Sequence, residues 1–334
     1  MTNRERGFTL VELLIAITLG LILVAVAVQL LISGQVNYRI QQAASTVQDS
    51  GVFSLNAIVK NIRLANHGNG SLINDETHYG GVVLSAQKPD GSTNADTKKG
   101  NLHNLKIGSS EIISTDALSQ NEANTSGFGT LKSDQLVIIY QAPVDMMTCT
   151  GTQAKGPIQT LNATTGTLSV QKGWYVIERY YLKQNTTTGS ADLYCSDAMF
   201  LASGETVVSP FSAPEVLTKD FVNNDGEMVA TNVDYMRVQL IVKQKNRDPT
   251  KEDVIATIGL HEYKILTNSS TTPRASVIGI NLGWLVRSNE TIPDIESKTY
   301  QVLDRSISSP ADKFMRHVFT TSIALRNGGF GEDH

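Results

Sequence analysis

Apolar residues are spread very unevenly along this chain. Residues 13–33, LLIAITLGLILVAVAVQLLIS, hold no charged side chain, and later runs such as LVII at 136–139 are far shorter. A bilayer core of ~30 Å is crossed by about 20 apolar residues in helical form. The pattern therefore predicts one membrane-spanning helix. Beyond it the apolar positions narrow to a stripe. Val36, Ile40, Ala43, Val47, Gly51, Leu55, Ile58, Ile62 and Ala65 recur at steps of three and four. Gln35, Gln42, Gln48, Asp49, Asn56 and Lys60 lie opposite. That is the pattern of an amphipathic helix continuing the span. No proline precedes Pro89, and HGNGS at 67–71 supplies a stop. The expected helix runs from 8 to 66, ~88 Å long. Its upper half should pack on a globular head; a coiled-coil stalk is the alternative, though the stripe is not a strict heptad.

After residue 68 the period shortens to that of strands. DQLVIIYQ (134–141), GWYVIERYYLK (173–183), DLYC (192–195), VDYMRVQLIVKQ (233–244) and SVIGINLGWLVRS (276–288) are rich in Val, Ile, Tyr and Trp and bounded by Gly, Asn, Pro and Thr. Tyr235, Arg237, Gln239 and Ile241 alternate with Met236, Val238, Leu240 and Val242, which predicts a half-buried antiparallel strand. Residues 85–130 read as loops with one strand. The expected class is α+β, a long N-terminal helix on a large antiparallel β-rich head of one domain or two lobes.

Composition narrows the function. A net charge of −4 argues against a nucleic-acid binder with a wholly basic surface, and no direct nucleic-acid contact is expected. At 40% hydrophobic residues, concentrated at one end, the chain is not a polytopic membrane protein. Two cysteines exclude a four-cysteine zinc site and a dense disulfide scaffold.

The flanks of the span carry the chemistry. Arg4 and Arg6 precede it, and positive residues beside a span favour the cytoplasm. The head should then lie across the membrane, in an oxidising compartment. There Cys149 and Cys195 are expected to form a disulfide, with two buried free thiols as the alternative. VQLLISGQ after the span lacks the small-residue site of a removed signal peptide. Glu12 interrupts the apolar entry to the span. An acid there is costly in hydrocarbon and needs a partner, unless it only sits at the interface and snorkels.

Gly7-Phe8-Thr9-Leu10-Val11-Glu12, after a short basic leader and before a long apolar helix, resembles the class III signal of type IV prepilins. The resemblance implies cleavage between Gly7 and Phe8 by a prepilin peptidase, and methylation of the new amine. It implies that Glu12 pairs with the N-terminal amine of a neighbouring subunit inside a filament. It divides the chain into a leader (1–7), a transmembrane and assembly helix (8–34), an amphipathic half-spine (35–67) and a periplasmic or extracellular head (68–334). Many major pilins have a kinking proline within the span; this chain has Gly20, Gly34 and Gly51 instead.

The large head, SDQLVIIYQ at 133–141, GWLVRSN at 283–289 and FMRHVFTTSIALRNGG at 314–329 are similar to the PilW branch of minor pilins. That implies a structural subunit, in the inner membrane before assembly and then in a surface pilus. Its implied partners are other minor and major pilins, a tip adhesin, the prepilin peptidase and the inner-membrane assembly platform. Its implied role is to start assembly and present the tip complex, in support of twitching motility, adhesion or DNA uptake. The alternative is a J-like pseudopilin of a type II secretion system.

Enzyme and cofactor signatures are missing from the sequence. It has no HExxH, GxSxG, CxxC or Walker pattern. His67, His78, His103, His261, His317 and His334 are scattered. Residues 223–227, NNDGE, have some features of a calcium loop, but Phe221 stands where an EF-hand needs Asp, so a hairpin turn is expected. No catalytic, cofactor or metal residue is assigned.

Overall fold

The computed structural model describes residues 7–70, 72–86, 100–161, 166–187, 189–246, 250–266, 275–293 and 295–326. The basic leader 1–6, most of the polar stretch expected as loop at 87–99, and Asn327 and His334 near the C-terminus lie outside them.

One helix, α1, runs from Leu10 to Ile62, about 80 Å at 1.5 Å per residue. It ends four residues before the expected stop. The N–H groups of Leu64 and Ala65 bond three residues back, to Asn61 and Ile62. Asn66 then turns left-handed, at φ 68°, and its N–H reaches the Ile139 carbonyl. The stripe also starts later than its periodicity implies. Ala43, Val47, Gly51, Ser54, Ile58, Asn61 and Ile62 form the buried face, and Ile40 stays exposed. Below Ala43 no residue of the helix is buried; Glu290 of the head still overhangs it between Leu31 and Gln42, and beneath Leu31 the rod projects alone over about 30 Å. The opposite polar face, from Gln35 to Lys60, is exposed as its pattern requires.

Among the described residues the head is built on two large antiparallel sheets, with four two-stranded ribbons beside them. The first contains β1 (Gln120–Thr125), β2 (Lys132–Gln141), β3 (Tyr175–Gln184), β4 (Ala191–Phe200) and β5 (Glu227–Ala230), in the order β5-β4-β3-β2-β1. The second contains β6 (Val233–Gln244), β7 (Val254–Gly259), β8 (Ser276–Thr291) and β9 (Phe314–Ala324), in the order β7-β6-β8-β9. Consecutive strands pair in the first sheet, the commonest arrangement, although 33 residues separate β2 from β3 and 26 separate β4 from β5. A short helix, α2 (Leu260–Leu266), follows β7.

The spine lies chiefly against β8 and β9, with a lesser contact to β5. One close approach is at Gly51, where a Cβ would fall 2.2 Å from the Phe319 ring. Ile58 and Ile62 are almost fully buried in a core shared with Leu136, Ile138, Val176 and Trp284. The five strand-like runs of the sequence all lie in these sheets.

One strand is not half-buried as its alternation suggests. From Val233 to Val238 every residue of β6 is buried, and exposure begins only at Gln239. A hairpin formed by Thr299–Val302 and Arg305–Ser308 is the reason. Its Val302 and Ile307 pack on Tyr235 and Leu285, and Asp304 at its turn meets Arg237. The polar-looking face is an inner layer.

Candidate functional site

The N-terminal end is built by a cap. Thr9 is the N-cap of α1 with extended backbone (φ −73°, ψ 150°). Its Oγ1 accepts the Glu12 N–H at 3.3 Å, while Glu12 Oε2 accepts the Thr9 N–H and hydroxyl, each at 3.1 Å. This reciprocal capping box satisfies donors that a helix start leaves open. Thr-x-x-Glu at 9–12 marks this box in the sequence, so Glu12 has a partner within its own chain besides the expected amine of a neighbour. Phe8 is 89% exposed, and nothing lies within 4 Å of a Cβ built on Gly7. Gly7, Phe8 and Glu12 thus share one open end of the rod. A carboxylate there is held by its own chain and remains accessible to another.

At the other end of α1 lies a buried acceptor. Glu178, on β3, is fully buried. Its Oε1 accepts Asn61 Nδ2 of the spine (2.9 Å), the Tyr140 hydroxyl (2.9 Å) and the Cys149 N–H (2.7 Å). Its Oε2 accepts the Tyr180 hydroxyl at 2.6 Å. Burial pushes this carboxyl up from its ordinary range, and the four donors pull it back. Asn61 occupies an apolar-stripe position, so periodicity alone concealed it.

Cys149 and Cys195 are joined in a disulfide, with Cα atoms 6.2 Å apart. Cys195 stands opposite Tyr180 in the β4–β3 register. The next residue after Cys149, Thr150, donates to Asp197 Oδ1 at 2.6 Å, and Lys219 also pairs with Asp197. The loop after β2 is therefore pinned over two neighbouring buried carboxylates. Replacing both cysteines with serine should cost about 2–5 kcal/mol of head stability, read as a lower urea midpoint under non-reducing conditions.

A second network joins the two sheets. Asp134, buried at the start of β2, accepts Arg237 Nη1 at 3.2 Å and the N–H groups of Val238 (2.8 Å) and Glu122 (3.0 Å). Burial pushes Asp134 up to about 6, opposed by Arg237 and these N–H groups. Arg237 also forks onto Asp304 at 2.8 and 2.7 Å. Arg287 and Arg316 stand directly opposite each other on β8 and β9, a repulsive pairing if left alone. Buried Asp234 lies 2.8 Å from Arg316 Nε and 3.7 Å from Arg287 Nε. Asp312 takes both Arg316 Nη atoms, at 2.7 and 2.5 Å. Gly127 admits Asp234, because a Cβ there would fall 2.2 Å from Oδ1.

The remaining chemical candidates do not converge. Among the described residues no group of three His, Cys, Asp or Glu side chains is placed to hold a metal ion. His78 and His103 have ring centroids 5.7 Å apart, each within its own loop. Residues 223–226 lead into β5 at Glu227 and do not form a tight hairpin, since β4 ends at Phe200. Asp225 there meets Lys183 at 2.6 Å. Arg179 stacks 4.1 Å from the Tyr181 ring centroid within β3.

Comparison with known proteins gives two family matches. Residues 2–28 match the prokaryotic N-terminal methylation motif. Residues 179–327 match type IV pilus-assembly protein W, a span that contains Glu178's neighbours, Asp234, Arg237, Arg287 and Arg316. No curated protein sequence matches the chain significantly. Among solved structures, a type IV-like pilin from Thermus thermophilus is similar at 9% identity and a TM-score of 0.32, covering 84% of this chain and 95% of that one. So slight a likeness carries no argument. The chain is thus similar to type IV pilus-assembly protein W over residues 179–327, a little under half its length, and carries the prokaryotic N-terminal methylation motif ahead of an exposed apolar rod.

Proposed function

We propose that the chain is cut between Gly7 and Phe8 by a prepilin peptidase, waits in the inner membrane with its head in the periplasm, and then enters a surface pilus. Leader 1–7 is lost, 8–34 serves anchoring and assembly, 35–67 forms the upper spine, and 68–334 is the head. With other minor and major pilins it primes assembly and presents a tip complex. Twitching motility, adhesion and DNA uptake are then properties of the whole filament, to which this subunit contributes structure and no catalysis. The reading is carried by one observation: every residue from Phe8 to Gln35 is exposed in the single chain. A helix that apolar needs lipid or other apolar helices around it. In the filament the neighbour's amine and Glu12 would offset each other's burial.

The capping box supplies the test. Glu12→Gln keeps an N3 side chain that can bond back to Thr9, but removes the charge. Expression, cleavage after Gly7 and membrane insertion should be unchanged in Glu12→Gln and in Glu12→Ala. Both should accumulate in the inner membrane and fall at least tenfold in surface pili, as expected for about 3–5 kcal/mol from an unpaired buried charge. Wild-type piliation in Glu12→Gln would show that only the cap matters. Mass spectrometry of the wild-type chain should find a methylated Phe8 terminus; an intact Met1 would overturn the processing step.

A further inference from the structure

Just above the apolar run, the spine and the head enclose an open groove of about 640 Å³, within the ~300–1,000 Å³ range of small-molecule sites. Leu31, Gly34, Gln35, Tyr38 and Arg39 line its spine side, and Glu290, at the end of β8, overhangs from the head. Leu31, at the upper end of the apolar run, and Arg39 are about 12 Å apart along the axis. If residues 13–33 span a bilayer, the groove therefore begins at the acyl chains and ends among the headgroups.

Its chemistry is that of a zwitterion. Arg39 and Glu290 face the same space, yet among the described residues neither side chain has an ion-pair or hydrogen-bond partner. They carry opposite charges without closing on each other. Gly34 leaves the floor open, with nothing within 4 Å of a Cβ built there. Tyr38 adds an amphipathic ring of the kind that settles at membrane interfaces. We infer that this groove holds the headgroup of a phospholipid bearing a primary ammonium: phosphate on Arg39, ammonium on Glu290, acyl chain along Leu31. An anionic headgroup would meet Glu290 unfavourably. A trimethylammonium headgroup has no N–H to give its carboxylate.

The inference rests on the membrane-anchored state proposed above, and its test separates the two. Full-length processed protein is placed in nanodiscs of equal parts phosphatidylethanolamine, phosphatidylcholine and phosphatidylglycerol. Retained lipids are then counted by native mass spectrometry. Phosphatidylethanolamine should be enriched about threefold, the scale of an exposed ion pair. Arg39→Gln should abolish the enrichment. Glu290→Gln should shift it towards phosphatidylglycerol, because Arg39 then acts alone. Equal retention of the three lipids, or enrichment unchanged in both variants, overturns the headgroup site. So does occupation of the groove by a second subunit, seen as Tyr38-positioned photocrosslinks to protein without lipid enrichment. A chain that fails to enter nanodiscs at all would instead defeat the anchoring.

Discussion

Arg316→Met should destabilise the head by about 3–5 kcal/mol, because it leaves Asp234 buried beside a distant Arg287 as its remaining cation. The methionine fills most of the arginine's volume, so the loss is electrostatic before it is steric. The two changes should not add: Asp234→Asn in the Arg316→Met background should recover a large part of the stability. Urea denaturation followed by tryptophan fluorescence reads this directly, since Trp284 lies on β8 opposite Phe319 of β9 and is fully buried. A double mutant as unstable as the sum of the two single mutants would mean that Asp234 and Arg316 act separately.

Gly51→Val is expected to lift the spine from the head. Its Cβ would sit 2.2 Å from the Phe319 ring, so either the ring swings out or the helix moves away. Overpacking of this kind costs about 1–3 kcal/mol. The damage should be local. Amide exchange should rise along Val47–Ile62 of α1 and stay unchanged in β2, β3 and β4. Phe319→Ala should restore protection in the Gly51→Val chain, because it removes the obstructing ring. No rescue would place the fault in the β-branched side chain's helix propensity.

Much of the architecture could be read directly, because it is written in periods. The uninterrupted apolar run, the three-and-four stripe and the alternating runs each reflect one local geometry. What escaped was long-range. Asn61 breaks the stripe only in appearance, since its partner Glu178 is 117 residues away. Asp134 and Arg237 are 103 residues apart. Each looked like the polar side of a strand until the second layer covered it. The ends of the spine shifted for a similar reason. Ile40 fits the stripe but has no head beside it, and the stop at Ile62 is set by the chain's turn towards Ile139. The capping role of Glu12 was the one local feature overlooked: Thr9 stands three residues before it, in plain sequence.

The seat of Glu178 has a mechanical meaning. If the chain enters a filament as proposed, it is pulled along its rod, and the tension must cross into the globular part somewhere. Asn61 is the spine's buried polar tie to the first sheet, and it ends on β3. The disulfide runs from the loop after β2 to β4, so the covalent link brackets the strand that receives the load. Under force, survival is set by the rate of the opening step and not by equilibrium stability. A crosslink placed across the loaded strand prevents its two neighbours from peeling apart, and so acts on that rate. Oxidation would then matter most in a subunit under tension, and least in one waiting unloaded in the membrane.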